Sequence, residues 1–155
     1  MRFIITTLIV LPILVFAATE ISAQQTDRTH QMMMQQSQEM QELMHRMNKM
    51  MERSQEMTRQ MNQRMEQTRN EQMRNQYHMM HRFGEQMGIT LGNMRNAAER
   101  CELMLRDREM MRDSEMRRDM DRMRRHLQDM TDEMEEALET MERMTRRMME
   151  HQEEP

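Results

Sequence analysis

The sequence of 155 residues is poor in glycine, proline, cysteine and aromatic residues: it has three glycines, two prolines, one cysteine and no tryptophan. Phosphate-binding loops, tight β-turns and many-stranded sheets all use glycine, so its scarcity argues against an enzyme of the α/β type. No Ser or Cys nucleophile has a base at a meaningful spacing, and the carboxylates fall where helix faces are expected to be exposed. We therefore expect an all-α protein that is not an enzyme.

The single cysteine, Cys101, excludes an internal disulfide bond. In an oxidising compartment its thiol either stays free, pairs with a second chain or binds a ligand; the ordinary alternative is a small buried apolar residue. The formal net charge of −4 does not provide the basic surface that nucleic-acid binding requires. We expect no nucleic-acid partner.

The N-terminal segment has the pattern of an export signal. Arg2 precedes an apolar run that begins at Phe3, and the small residues Ser22 and Ala23 suit a signal peptidase. Residues 1–23 are predicted to be a signal peptide, with a periplasmic or secreted mature protein. The alternative is a retained anchor, but the run is shorter than the ~20 apolar residues of a spanning helix. We expect no stable membrane insertion after cleavage.

Beyond this segment, glycine occurs only at Gly84, Gly88 and Gly92, and proline only at the last position. Both residues break helices, so their confinement predicts one hinge at residues 84–92. The hinge separates a Met- and Gln-rich helix 1 (24–83) from a Met-, Arg- and Glu-rich helix 2 (93–155). Arms of similar length predict a long, coiled-coil-like antiparallel helical hairpin. A parallel dimeric coil with an interrupted middle is the alternative.

Apolar and small residues recur in alternating steps of three and four, which is the heptad pattern of a coiled coil. The predicted seam of helix 1 comprises Met33, Ser37, Met40, Met44, Met47, Met51, Ser54, Thr58, Met61 and Met65. The predicted seam of helix 2 comprises Met116, Met120, Met123, Leu127, Met130, Met134, Ala137, Met141, Met144 and Met148. Both lose phase, the first between Met65 and Met73 and the second between Leu105 and Met116. Because each arm buries only one stripe, we expect a homodimer forming a four-helix bundle, or partial disorder of residues 24–40.

Methionine is the dominant apolar residue, with 29 copies in the sequence. After residue 23 there are 28 of them, against six Leu, one Ile and no Val. Leu specifies a helical core better, and exchanging the two costs under ~1.5 kcal/mol, so stability alone does not explain the choice. Several methionines also fall outside the seams: Met32, Met34, Met79 or Met80, Met104, Met110, Met111 and Met149.

Three uses of this sulfur remain open. Thioether sulfur is a soft, uncharged ligand that suits Cu(I) and, by the same argument, Ag(I). Reversible oxidation to the sulfoxide suits an oxidant sink, and flexible Met-lined surfaces suit a chaperone or an interaction protein. For the metal, steps of three and four place several sulfurs on one helix face. Such sets are Met44/Met47/Met51, Met57/Met61/Met65, Met116/Met120/Met123 and Met141/Met144/Met148.

The predicted hinge carries the most varied group of soft and borderline ligands. Imidazole, thioether and thiol converge there if the chain folds back at residue 88. The candidate metal ligands are His78, Met79, Met80, His81, Met87, Met94 and Cys101. Exposed histidines at a helix end are the ordinary alternative for His78 and His81. Secondary candidates are Met44, His45, Met47 and Met51, and, near the C-terminus, Met148, Met149 and His151.

An export signal, MxxM and MxxxM repeats over residues 32–149 and scattered histidines together resemble the small methionine-rich periplasmic proteins that handle copper or silver. The chain also resembles, more distantly, the helical-hairpin periplasmic stress proteins, although it lacks their LTxxQ repeat. The first resemblance implies binding of Cu(I) or Ag(I) for sequestration or resistance.

Overall fold

The computed structural model describes the backbone of residues 10–153 and the side chains of residues 30–150. Three long helices follow one another: α1 spans Val10–Gln67, α2 spans Glu71–Arg106 and α3 spans Ser114–Glu153. A single 3-10 turn, Met110–Arg112, precedes α3. Within the described backbone the chain is all-α and contains an antiparallel helical hairpin, as predicted. The hairpin is formed by α1 and α2, which turn at residues 68–70, and not by the predicted arms 24–83 and 93–155. Since one chain is described, the homodimer stays a prediction.

The predicted signal peptide, residues 1–23, lies outside the described side chains, and its first nine residues lie outside the described backbone. No helix in the described part of the chain has both the length and the apolar character needed to cross a membrane.

The two turns are built from short polar side chains that cap helix ends. The Oδ1 atom of Asn70 accepts hydrogen bonds from the backbone N–H groups of Gln72 and Met73, at 3.0 and 3.2 Å, and so caps the start of α2. Asp107 ends α2, and its Oδ1 atom accepts from the N–H groups of the next turn. Asp113 does the same for the first turn of α3, accepting from Glu115 N–H at 2.8 Å. These caps fix the turns at residues 68–70 and 107–113.

The prediction of a hinge at residues 84–92 was wrong, because α2 runs unbroken through all three glycines. Spaced by four residues, they lie on one face of α2, where the missing side chains let α1 approach closely. A Cβ atom built on Gly84 would lie 2.5 Å from the Oγ1 atom of Thr58 on α1. A Cβ atom on Gly92 would lie 3.7 Å from the Sδ atom of Met51. The glycines therefore serve helix packing, and their low helix propensity is overridden by tertiary contact.

The predicted seam of helix 1 is confirmed, since every one of its ten positions is buried or half-buried. Met40, Met47 and Met61 are fully buried, and Leu43, Met50 and Met57 add a second buried row. Two buried rows are needed because α1 contacts both α2 and α3. Residues 24–40, for which partial disorder was the alternative to a dimer, lie in α1.

Helix α3 lies parallel to α1 and is held to it by charged side chains. The guanidinium group of Arg53 donates to both carboxylate oxygens of Glu142, at 2.9 and 2.8 Å. Arg46 pairs with Asp132 at 2.7 Å and with Glu135 at 2.5 Å. These hydrogen bonds raise the pKa of both arginines. The acidic partners follow one another along α3 in the same order as the arginines along α1. These ion pairs therefore set the register of α3 against α1.

The predicted seam of helix 2 is only partly correct. Met120, Leu127 and Met141 are buried as predicted, but Thr131, Leu138 and Thr145 are buried beside them. Four positions of the predicted seam, each seven residues after the last, form a row along the edge of α3 that faces α2: Met123, Met130, Ala137 and Met144. We call it the edge row; three of its members are more than two-fifths exposed. The buried stripe is shifted because α3 lies in the groove between two helices rather than against one.

Candidate functional site

The residues predicted to converge at the hinge are instead spread along one face and one edge of α2. His78 and Cys101 are 23 residues apart in a single helix, which corresponds to roughly 35 Å. Met87, Met94 and Cys101 are buried in the core, while His78 and Met79 are exposed. His81 is half-buried, with its Nδ1 atom 3.5 Å from Glu85. One chain therefore does not assemble these seven side chains around one ion.

The secondary candidates are also divided between core and surface. Met47 is buried, Met44 and Met51 are half-buried, and His45 between them is exposed. Met148 and Met149 are half-buried, and the side chain of His151 lies outside the described residues. Among the described side chains, no group of three or more His, Cys, Asp and Glu is placed to hold a metal ion.

Part of the predicted site does meet new partners across α2 and α3. Met79 and Met80 line a groove between the two helices together with Met141 and Met144 of α3. Phe83 and Ala137 complete its apolar wall, and its volume is about 670 Å³. Four thioether groups from two helices thus share one open cavity. We call it the methionine groove.

The four methionines of the groove differ in how exposed they are. Met79 is 63% exposed and Met144 49%, whereas Met80 is half-buried and Met141 only 3% exposed. Glu133, Glu136 and Thr140 of α3 form its polar rim. The Thr140 hydroxyl donates to the backbone carbonyl of Glu136 at 2.9 Å, so its proton is already used in a hydrogen bond within α3. A ligand in the groove would lie near the two carboxylates and would meet methionine side chains of both helices.

A second sulfur pair lies further along the same two helices. The Sγ atom of Cys101 is 3.0 Å from the Sδ atom of Met123, in hydrogen-bonding geometry with the thiol as donor. Cys101 is a free thiol and is only 2% exposed. Burial raises the pKa of its thiol, so the neutral form is favoured. This matches the ordinary expectation for a lone cysteine, a small buried residue in a helical core.

The sequence pattern indicated the two halves of the methionine groove, but as separate sites. Met141 and Met144 belong to one of the predicted three-sulfur sets, and Met79 and Met80 to the predicted hinge site. The two pairs of methionines meet because the chain turns at residues 107–113, which brings the start of α2 beside the end of α3. The loss of heptad phase between Leu105 and Met116 was the sequence signal for that turn. Among the methionines predicted to lie outside the seams, Met32, Met34 and Met79 are exposed, whereas Met111 is buried against the core.

Comparisons with protein-family models, curated proteins and solved structures found no match for this chain. Its function is therefore inferred from the geometry and side-chain chemistry of the methionine groove.

Proposed function

We propose that this chain binds soft monovalent metal ions, Cu(I) or Ag(I), through the thioethers of the methionine groove. The observation that carries the proposal is the placement of Met79 and Met80 across one cavity from Met141 and Met144. Donors from two helices can adapt their distances to an ion, because the methionine side chain is unbranched and flexible. Thioether ligands prefer soft ions, so the groove favours Cu(I) and Ag(I) over Zn²⁺ or Mg²⁺.

The environment of the groove also suits a cation. Glu133 and Glu136 place two negative charges at its rim and attract cations toward its mouth. Thioether sulfur has no proton to release, so the affinity should change little with pH across the neutral range. Because Met79 and Met144 are 63% and 49% exposed, an ion can reach a methionine side chain of each helix directly from solvent.

The predicted export signal favours a location outside the cytoplasm for this chemistry. We propose that the mature chain, beginning at Gln24, sequesters soft metal in the periplasm or in the medium and so contributes to metal resistance. N-terminal sequencing of the exported protein tests the cleavage position directly. A chain that retained residues 1–23 would contradict this part of the proposal.

The metal proposal is tested by titrating the purified mature protein with Cu(I) against a competing chelator under reducing conditions. The test variant replaces Met79, Met80, Met141 and Met144 with Leu, which keeps volume and helix propensity. We expect its Cu(I) affinity to fall by at least about tenfold, or roughly 1.4 kcal/mol. Circular dichroism should show the same helical content and a similar melting temperature.

A matched control replaces four methionines outside the groove with Leu: Met32, Met34, Met116 and Met130. This variant removes the same amount of sulfur, so its affinity should equal that of the wild type. If both variants lose affinity equally, binding depends on total methionine content and the groove is not the site. If the wild type binds neither Cu(I) nor Ag(I), the metal function is refuted.

A second candidate function is a chaperone or interaction protein that uses methionine for its plasticity. It is favoured by Phe83, which is 54% exposed in the wall of the methionine groove and has no role in metal binding. An exposed aromatic ring beside flexible methionines suits an apolar partner side chain. Binding of an apolar dye by the metal-free protein, weakened by Phe83→Ser but not by the four Leu replacements, would support this function.

A further inference from the structure

The carboxylates of α3 are concentrated in one part of the helix. Residues 127–142 contain seven Asp and Glu and no Lys or Arg. Those on the side facing α1 are neutralised: Asp132 and Glu135 pair with Arg46, and Glu142 with Arg53. On the other side, Asp129, Glu133 and Glu136 form no ion pair with any residue that the structure describes. Steps of four and three place these three side chains on one face.

That unpaired acidic face borders the apolar edge row. Glu133 and Glu136 are themselves part of the rim of the methionine groove. The edge row extends the apolar surface from Met144 back to Met123, 21 residues along α3 or roughly 32 Å. Met130 and Met123 are 44% and 43% exposed. The α2–α3 side of the molecule therefore offers a long apolar strip with an acidic border.

A second copy of this chain is poorly suited to this strip. A symmetric pair of α3 helices, packed along the edge row, would place the acidic stretch of one copy beside that of the other. In the antiparallel arrangement that matches Met123 with Met144, the midpoint falls near Glu133, which would face its own symmetry mate. Like charges in that position are repulsive, whereas a basic partner is attracted.

We propose that the α2–α3 strip binds a partner helix with an apolar stripe and a basic flank. The apolar stripe would lie along the edge row and fill the methionine groove, as in helix-in-groove recognition. Basic side chains of the partner would pair with Glu133, Glu136 and Asp129. Methionines adapt to different apolar side chains, so the strip would accept several sequences with this pattern. The proposal goes beyond metal binding and does not require a bound ion.

The test uses a fluorescein-labelled synthetic peptide of 16 residues, with Leu at helical spacings of three and four and Lys elsewhere. Its binding to the mature protein is followed by fluorescence anisotropy in a metal-free buffer with a chelator. We expect saturable binding that weakens at high salt. Glu133→Gln with Glu136→Gln should weaken it about fivefold, and Met79→Gln with Met144→Gln about tenfold.

Two controls make the test specific. Asp119→Asn with Glu150→Gln removes the same charge from α3 outside the strip and should leave the affinity within about twofold of the wild type. A peptide with Glu in place of Lys should not bind. Equal binding of the acidic peptide, or equal weakening by the control variant, would overturn the proposal.

Self-association is the other decisive outcome. If the free protein sediments as a dimer, and Met79→Gln with Met144→Gln makes it monomeric, the strip belongs to a second copy and the proposal is wrong. The metal test and this test fail independently, because the peptide is measured without metal and the metal is measured without peptide.

Discussion

The hydroxyl of Ser54 on α1 donates a hydrogen bond of 2.7 Å to the backbone carbonyl of Gly84 on α2. Both residues are buried, and the bond forms where the two helix backbones come close. One turn later, the hydroxyl of Thr58 donates to the backbone carbonyl of Ser54 at 2.8 Å. A stripe of small residues on both helices thus joins α1 to α2 through packing and through the buried hydrogen bond from Ser54 to Gly84.

This contact predicts that alanine replacements at Gly84 and Gly92 have opposite effects on stability. At Gly92 a Cβ atom makes ordinary contact with Met51, so the gain in helix propensity should stabilise the protein by about 0.5–1 kcal/mol. At Gly84 the Cβ atom meets the hydroxyl of Thr58 at 2.5 Å. Overpacking costs ~1–3 kcal/mol, so Gly84→Ala should be destabilising by about 1 kcal/mol net. Urea denaturation monitored by circular dichroism measures both effects.

A second replacement separates the steric effect from other causes. Combining Gly84→Ala with Thr58→Ala removes the clash, so most of the lost stability should return. If Gly84→Ala is as stabilising as Gly92→Ala, the close approach of α1 and α2 at this position is wrong.

The same glycines show why the helix positions could be predicted but the turn positions could not. The heptad pattern of Met40, Met47 and Met61 identified the buried face of α1, because that pattern reports the helix period directly. Glycine was interpreted as a breaker from its average propensity, although a spacing of four places all three residues on one helix face. The turns were indicated by the losses of phase near residues 65–73 and 105–116, which also suit an uninterrupted coil with inserted residues.

The candidate site was predictable only as separate halves. The sequence indicates that Met79 and Met80 belong to one candidate group of metal ligands and that Met141 and Met144 share a helix face. Their meeting depends on the register of α3, which is set by Arg46 and Arg53 pairing with carboxylates about 86 to 89 residues away. Such distant pairings leave no periodic signal in the sequence. An arginine that pairs with another helix cannot be distinguished there from one that lies on an exposed helix face.

The pairing of Arg53 with Glu142 is predicted to contribute measurably to the docking of α3. Its bidentate geometry is favourable, but both side chains are about one-third exposed, so solvent screens the interaction. A double-mutant cycle with Arg53→Gln and Glu142→Gln should give a coupling of about 0.5–1 kcal/mol at low salt and much less at 1 M salt. The exposed pair Arg59–Glu56 serves as a control and should show almost no coupling. Equal coupling in the two pairs would contradict the assigned role of Arg53.

Burial of Cys101 and Tyr77 predicts a loss of stability in alkaline solution. Desolvation raises the pKa of Cys101 above its ordinary value of 9.0 and that of Tyr77 above 10.0. The folded state therefore holds these protons more tightly than the unfolded state. Their contribution is fully present below the unfolded pKa, about pH 9 for the thiol, and is lost as the pH rises through the folded pKa.

Cys101→Ala isolates the contribution of the thiol. The free energy of unfolding of the wild type should begin to fall near pH 9, whereas that of the variant should begin to fall only at higher pH, where tyrosine titrates. Urea denaturation between pH 7 and about pH 10.5 compares the two proteins. Parallel profiles across this range would show that the thiol is not buried as described.

The graded exposure of the methionines predicts the order in which they are oxidised. Peroxide converts a thioether to a sulfoxide with release of water, and the reaction requires access to sulfur. Met32, Met34 and Met79 are each more than half exposed, whereas Met47 and Met61 are fully buried. We expect the exposed group to be oxidised first in the native protein, as followed by peptide mass spectrometry. In guanidinium chloride, which unfolds the chain, the order should disappear.

The structural consequence of this order bears on the oxidant-sink function. Sulfoxide is polar, so its formation in the core would disrupt packing, whereas its formation at the surface should leave the helices intact. At the point where Met32, Met34 and Met79 are fully oxidised, circular dichroism should therefore show unchanged helical content. A chain that can consume peroxide at its surface without unfolding has the physical property that an oxidant sink requires. Loss of helix in step with the first oxidation events would exclude that function and would show that the surface sulfurs stabilise the bundle.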